Sequence, residues 1–256
     1  MKSVIESIDT VSLGKTWLFW MGQAGFIFKS AKGSLLGIDL YLSECVEQVE
    51  GHAGYHRQMP QLVEPAELNL DFLIATHFHR DHFDVDAIPQ LMNNGYTRLF
   101  CAYDCQEDVE FLNIDKTRTT FVRPDDTYEA DGFRLSFVRC DHGTGAPQAV
   151  GVIVTVDEKR ALVVGDSCLH LDWKDDYLKE GPIDVLIAPI NGAYGNLTEQ
   201  ENVDLTALLK PRLSVPCHFG MFASHGGHLG LWKELMDNQL PEQEYKLFTM
   251  GEGIEI

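Results

Sequence analysis

Basic residues are scarce in this chain: 20 Lys plus Arg face 39 Asp plus Glu in 256 residues, a formal charge of −19. Such a field repels phosphate backbones and argues against nucleic acid as a partner. A small anionic substrate would need cations concentrated locally. Long apolar runs are also missing. The opening Met1-Lys2-Ser3-Val4-Ile5-Glu6-Ser7-Ile8-Asp9 breaks its apolar residues with charges, unlike a signal h-region. No stretch approaches the roughly 20 apolar residues that span a bilayer. Long Pro, Gly or Ser tracts, like-charge blocks and fixed-period repeats are absent, so one compact domain over residues 1–256 is expected. The six cysteines, Cys45, Cys101, Cys105, Cys140, Cys168 and Cys217, show no disulfide framework and read as reduced thiols. These absences lead to an expectation of a soluble cytoplasmic protein with no membrane partner, in which a homo-oligomer is allowed. At 45% hydrophobic content the chain can bury a substantial core.

What is present is concentrated chemistry. Thr76-His77-Phe78-His79-Arg80-Asp81-His82 puts three imidazoles and a carboxylate into the six residues from His77 to His82, directly after the apolar Phe72-Leu73-Ile74-Ala75. Alternate side chains of an extended segment share a face, so His77 and His79 can converge on one cation where a strand ends. If a helix follows, Asp81 and His82 swing towards a second point. Neutral imidazole and carboxylate suit zinc, manganese or iron.

Strand-like runs recur along the chain: Trp17–Met21, Gly25–Phe28, Ser34–Ile38, Arg98–Cys101, Phe133–Val138, Val150–Val154, Ala161–Val164 and Ile183–Ala188. Helices are expected over Asp84–Met92, from Asp104 with its carboxylate as cap, and from the capping box Thr198-Glu199-Gln200-Glu201 to about Lys210. Asp39, His77, His142, Asp166 and His218 each stand just past a strand-like run. Polar ligands gathered at one edge of packed sheets with helices outside describe an α/β, four-layer αββα sandwich. Asp39 or Asp166 could instead merely cap a turn. Cys140, Cys168 and Cys217 lie beside suspected ligands, where small thiols often pack without ligating.

The ordered series Asp39, His77 to His82, His142, Asp166 and His218 resembles the metallo-β-lactamase superfamily. Met21-Gly22-Gln23-Ala24-Gly25-Phe26, Gly165-Asp166-Ser167, Tyr194-Gly195-Asn196 and Pro216-Cys217-His218-Phe219-Gly220-Met221-Phe222 look most like its L-ascorbate 6-phosphate lactonase branch. The resemblance implies two divalent ions, Mn2+ or Zn2+: one held by His77, His79 and His142, the other by Asp81, His82 and His218, with Asp166 bridging. Asp141 remains the alternative to His142. Asp81 and Asp166 would carry catalysis, and Asp39 would fix a ligand imidazole from behind. The implied reaction is attack of metal-bound hydroxide on the carbonyl of a sugar lactone, with phosphodiester or phosphoester hydrolysis as the alternative. Arg57 is the candidate clamp for an anionic, possibly phosphorylated, substrate. Tyr194 and Asn196 are candidate oxyanion donors, and His225, with His52, His56 and His228, could rim the pocket. A redox di-iron protein would place a carboxylate where His79 stands, and a non-catalytic relative would have lost ligands.

Overall fold

A computed structural model describes residues 3–256, which fall into two compact units: residues 3–122 with 248–256, and residues 123–247. The fold is mixed α/β with one seven-stranded and one six-stranded sheet. Among the described residues no helix is long and apolar enough to cross a membrane.

The first unit holds β1 (Trp17–Gly22), β2 (Gly25–Lys29), β3 (Leu35–Ile38), β4 (Phe72–Ala75), β5 (Arg98–Ala102) and β6 (Thr119–Val122). The late strand β13 (Gly253–Glu255) completes its sheet, in the order β13-β1-β2-β3-β4-β5-β6. The strands from β13 to β3 pair antiparallel, and from β3 to β6 they pair parallel. Buried on both faces, β4 reads as a continuous apolar run rather than as alternation.

The second unit repeats that change of direction. It is built from β7 (Thr127–Ala130), β8 (Phe133–Arg139), β9 (Val150–Val156), β10 (Lys159–Val163), β11 (Val185–Pro189) and β12 (Leu213–Cys217). The strands β7 to β10 form an antiparallel meander, and β10, β11 and β12 run parallel. The helix Glu199–Leu209 opens with the Thr198–Glu201 capping box and buries Leu205 and Leu209 among Ile153, Leu162 and Leu186. A buried amide ties it down: Asn202 donates to Ala188 O at 3.0 Å and Pro189 O at 3.1 Å, and accepts from Trp232 Nε1 at 2.8 Å.

Two local expectations fail for identifiable reasons. Residues 84–87 do not open a helix, which spans only Ile88–Leu91 before a 3-10 turn. The Asp84 carboxylate takes Asp86 N and Ala87 N, together with Leu42 N and Ser43 Oγ, holding the segment as a turn. Asp104 is not the N-cap: it sits inside the 3-10 turn Tyr103–Cys105, and the α-helix starts at Gln106 with Cys105 at its N-cap.

In open α/β sheets, functional residues collect past the C-terminal ends of the parallel strands. Asp39 follows β3, Thr76 and His77 follow β4, Asp166 follows β10, Asn191 follows β11 and His218 follows β12.

Candidate metal centre

In the first unit, one buried carboxylate sets two imidazoles. Asp39 is fully buried, and its oxygens accept from Thr76 N at 2.8 Å, Thr76 Oγ1 at 2.7 Å and His82 Nδ1 at 2.9 Å. A carboxylate only accepts, so His82 must carry its proton on Nδ1, which leaves Nε2 as the ligand atom. The single hydroxyl proton of Thr76 also goes to Asp39. Thr76 Oγ1 is then an acceptor for His77 Nδ1 at 3.2 Å, and His77 too presents Nε2. His77 Nε2 lies 3.0 Å from His79 Nδ1. Two nitrogens bound tetrahedrally to one zinc sit about 3.3 Å apart, so this spacing fits a shared cation. Asp81 lies beside them, its Oδ2 3.7 Å from His82 Nε2 and accepting from Gln23 Nε2 at 2.9 Å.

Gln23 is a buried residue on the β1–β2 turn, and Trp20 Nε1 donates to its backbone carbonyl at 3.1 Å. The turn lies close over Asp39. A Cβ on Gly25 would come within 3.2 Å of Asp39 O and 3.0 Å of Gly22 O, so only glycine fits without displacement.

In the second unit the focus is Asp166 Oδ2. His218 Nε2 stands 3.1 Å away and His142 Nε2 3.8 Å away, and Asn196 Nδ2 donates to it at 2.7 Å. All four side chains are buried. His218 takes φ +59°, in the left-handed region that costs a non-glycine residue energy, and Asp39 does the same at +47°. Strain alone does not mark a site, because the hairpin residues Asp157 and Glu158 share that region. Cys140 Sγ donates to Asp166 O at 3.0 Å, so this thiol holds the loop.

The other sequence candidates have definite places. His142 faces Asp166, whereas its neighbour Asp141 turns to His170, accepting from Nε2 at 2.7 Å. The His170 hydrogen bond holds the Asp141 carboxyl below its usual range, and burial with the nearby Asp141 pushes the Cys168 thiol up to about 11. His225 is buried, with its ring 5.2 Å from that of His218 and 5.2 Å from that of the exposed Tyr194. Cys217 is buried between Pro216 and His218 at the end of β12.

Arg57 does not have the geometry of an anion clamp. Its guanidinium donates to Met59 O, Tyr41 O, Ser43 O and Pro60 O at 2.8–3.4 Å and is almost fully buried, so backbone carbonyls have taken its donors. His52 and His56 both pair with Glu47 on an exposed surface.

Residues 17–218 match the family model described as a beta-lactamase superfamily domain. The chain belongs to this superfamily. Within it, the chain is similar to a UPF0173 metal-dependent hydrolase of Anaeromyxobacter dehalogenans, 26% identical over 228 residues, covering 84% of this chain and 78% of that protein. Two solved structures share the fold. Igni18, a metallo hydrolase from Ignicoccus hospitalis, superposes with a TM-score of 0.74 at 16% identity, over 94% of this chain and 98% of its own. The metallo-β-lactamase fold protein YhfI from Bacillus subtilis gives 0.70 at 17% identity, over 94% and 99%.

Proposed function

We propose that His77, His79, Asp81, His82, His142, Asp166 and His218 are the metal ligands of a cytoplasmic hydrolase that opens a sugar lactone, in the division between two ions, Mn2+ or Zn2+, that the family resemblance implies. The observation that carries the ligand assignment is the tautomer control by Asp39, which leaves the Nε2 lone pairs of His82 and His77 free for a cation. Divalent ions, when bound, supply a polarised electrophile and a water acidified to near-neutral pKa.

The chain's own residues do the positioning. Asn196 holds Asp166 Oδ2 and Gln23 holds Asp81 Oδ2, so both carboxylates keep one orientation through turnover. Asn196 is thus a positioning residue rather than an oxyanion donor. Ring opening leaves an alkoxide that takes its proton from water, and Tyr194, exposed beside His225, stays the candidate donor to the oxyanion. With Arg57 occupied by carbonyls, the case for a phosphorylated lactone loses its clamp, and neutral lactones belong in the substrate panel on equal terms.

The test is a screen of neutral and phosphorylated sugar lactones against nitrophenyl phosphodiesters, with manganese or zinc added. Lactone opening that chelator abolishes, with phosphodiester cleavage far weaker, is the expected result. Robust phosphodiester cleavage without lactone opening would replace this reading by a phosphodiesterase.

A further inference from the structure

A second cluster of donors lies wholly within the second unit, outside the residues assigned to hydrolysis. We propose that Asp141, Cys168 and His170 bind one ion of the zinc class. Their ligand atoms close a triangle: His170 Nε2 is 2.7 Å from Asp141 Oδ2, and Cys168 Sγ is 3.3 Å from each of them. Tetrahedral zinc with bonds of about 2.0–2.3 Å keeps neighbouring ligand atoms roughly 3.4–3.6 Å apart. The two sulfur distances are already within a few tenths of that spacing. The nitrogen–oxygen distance must open by about 0.7 Å, within reach of side-chain rotation.

Each donor is also fixed by a group outside the triangle. Asp141 Oδ1 accepts from Gly143 N at 3.1 Å, which leaves Oδ2 for the ion. The His170 ring lies flat on Trp173, with centroids 3.9 Å apart and planes within 6°, and the Arg139 guanidinium sits over the Trp173 ring at 4.5 Å. His170 Nδ1 faces Asp172 Oδ1 at 3.7 Å, so when the ion displaces the ring proton from Nε2, Nδ1 takes it on the side of that carboxylate. Cys168 N donates to Asp141 O at 3.0 Å, so the two loops are already joined along their backbones. The side chains of His170 and Asp141 are 28% and 40% exposed, so an ion enters from solvent and water completes its fourth position.

The donor set separates this site from the hydrolytic one. A thiolate favours zinc over manganese or magnesium, and the hydrolytic ligands include no sulfur. Binding exchanges the thiol proton for the ion, releasing one proton to solvent. The ion would clamp the loop that leads into His142 to the loop that carries Asp166.

Cobalt substitution of the full chain tests the site. A thiolate on cobalt gives a near-ultraviolet charge-transfer band that a histidine and carboxylate centre does not. The band is expected in the parent protein and in His77→Ala, and is lost in Cys168→Ser and in Asp141→Asn. Zinc content should fall by about one equivalent per chain in Cys168→Ser. If the hydrolytic assignment is wrong, His77→Ala leaves the visible cobalt bands untouched, and the charge-transfer result stands independently. A cobalt-loaded parent without the band overturns the proposal, as does a band that survives in a folded Cys168→Ser or Asp141→Asn.

Discussion

Replacing Asp39 by asparagine should weaken metal binding at His77 and His82 together, although Asp39 is not proposed to touch either ion. Asparagine tolerates the left-handed backbone at +47°, so the exchange isolates the carboxylate. The amide oxygen can still accept from Thr76 N, but its nitrogen now donates where Thr76 Oγ1 and His82 Nδ1 need an acceptor. Both imidazoles lose the constraint that keeps Nε2 unprotonated. Loss of such a partner typically costs 10–100-fold in metal affinity, about 1.4–2.7 kcal/mol. Thr76→Val breaks only the arm to His77 and should cost less, and the double variant should cost no more than Asp39→Asn alone. Competition with a chromophoric chelator reads the affinities. Melting of the metal-free proteins separates any loss of folding, expected near 1–3 kcal/mol for the disrupted buried hydrogen bonds. Unchanged affinity in Asp39→Asn, or strict additivity with Thr76→Val, would refute the shared control of the two tautomers.

Arg57→Ala should destabilise by about 2–4 kcal/mol in urea denaturation, because four carbonyls lose their donor inside the protein; a variant as stable as the parent would contradict the staple. Trp232→Phe leaves Asn202 Oδ1 without its indole partner and should lower the melting temperature by roughly 2–10 °C, checked by calorimetry. Arg134 holds the Glu180 carboxyl below its usual range, so the stability from this pair is present above about pH 4.3 and lost as pH falls through the lower folded value. The melting difference between parent and Glu180→Gln, at most about 1 kcal/mol, should therefore shrink in acid. Chelation should lower the melting temperature, by about 2.7 kcal/mol of stabilisation for metal held at a hundred times its Kd, and an unchanged melt of verified metal-free protein would contradict ligation.

Most of the sheet strands, though not β6 and β7, and the strand-end placement of Asp39, His77, Asp166 and His218 were legible because buried strands write themselves as short apolar runs that polar residues terminate. Relations between side chains were not. Thr76 looks like any residue before a histidine run; its role depends on a hydroxyl that donates to Asp39 and accepts from His77. The guanidinium of Arg57 reads as a free cation until the chain path around Tyr41 and Ser43 is known. The helix expected over residues 84–92 misled for a related reason: nothing in the sequence shows that the Asp84 carboxylate binds Leu42 and Ser43 as well as Ala87. β13 escaped notice because Gly253-Ile254-Glu255 is too short to carry a pattern, and its strand character comes from the partner β1.

That partnership has a consequence for synthesis. Trp17 pairs with Glu255 and Phe19 with Gly253. Residues 17–22 therefore leave the ribosome long before the segment that covers their edge, and the entire second unit is made in between. Throughout that interval the nascent chain carries an apolar strand with open backbone donors and acceptors, a ready template for pairing with another chain. Removing or blocking residues 253–256 would make that transient exposure permanent, so loss of these residues should show first as aggregation during expression rather than as altered chemistry at the metal ligands.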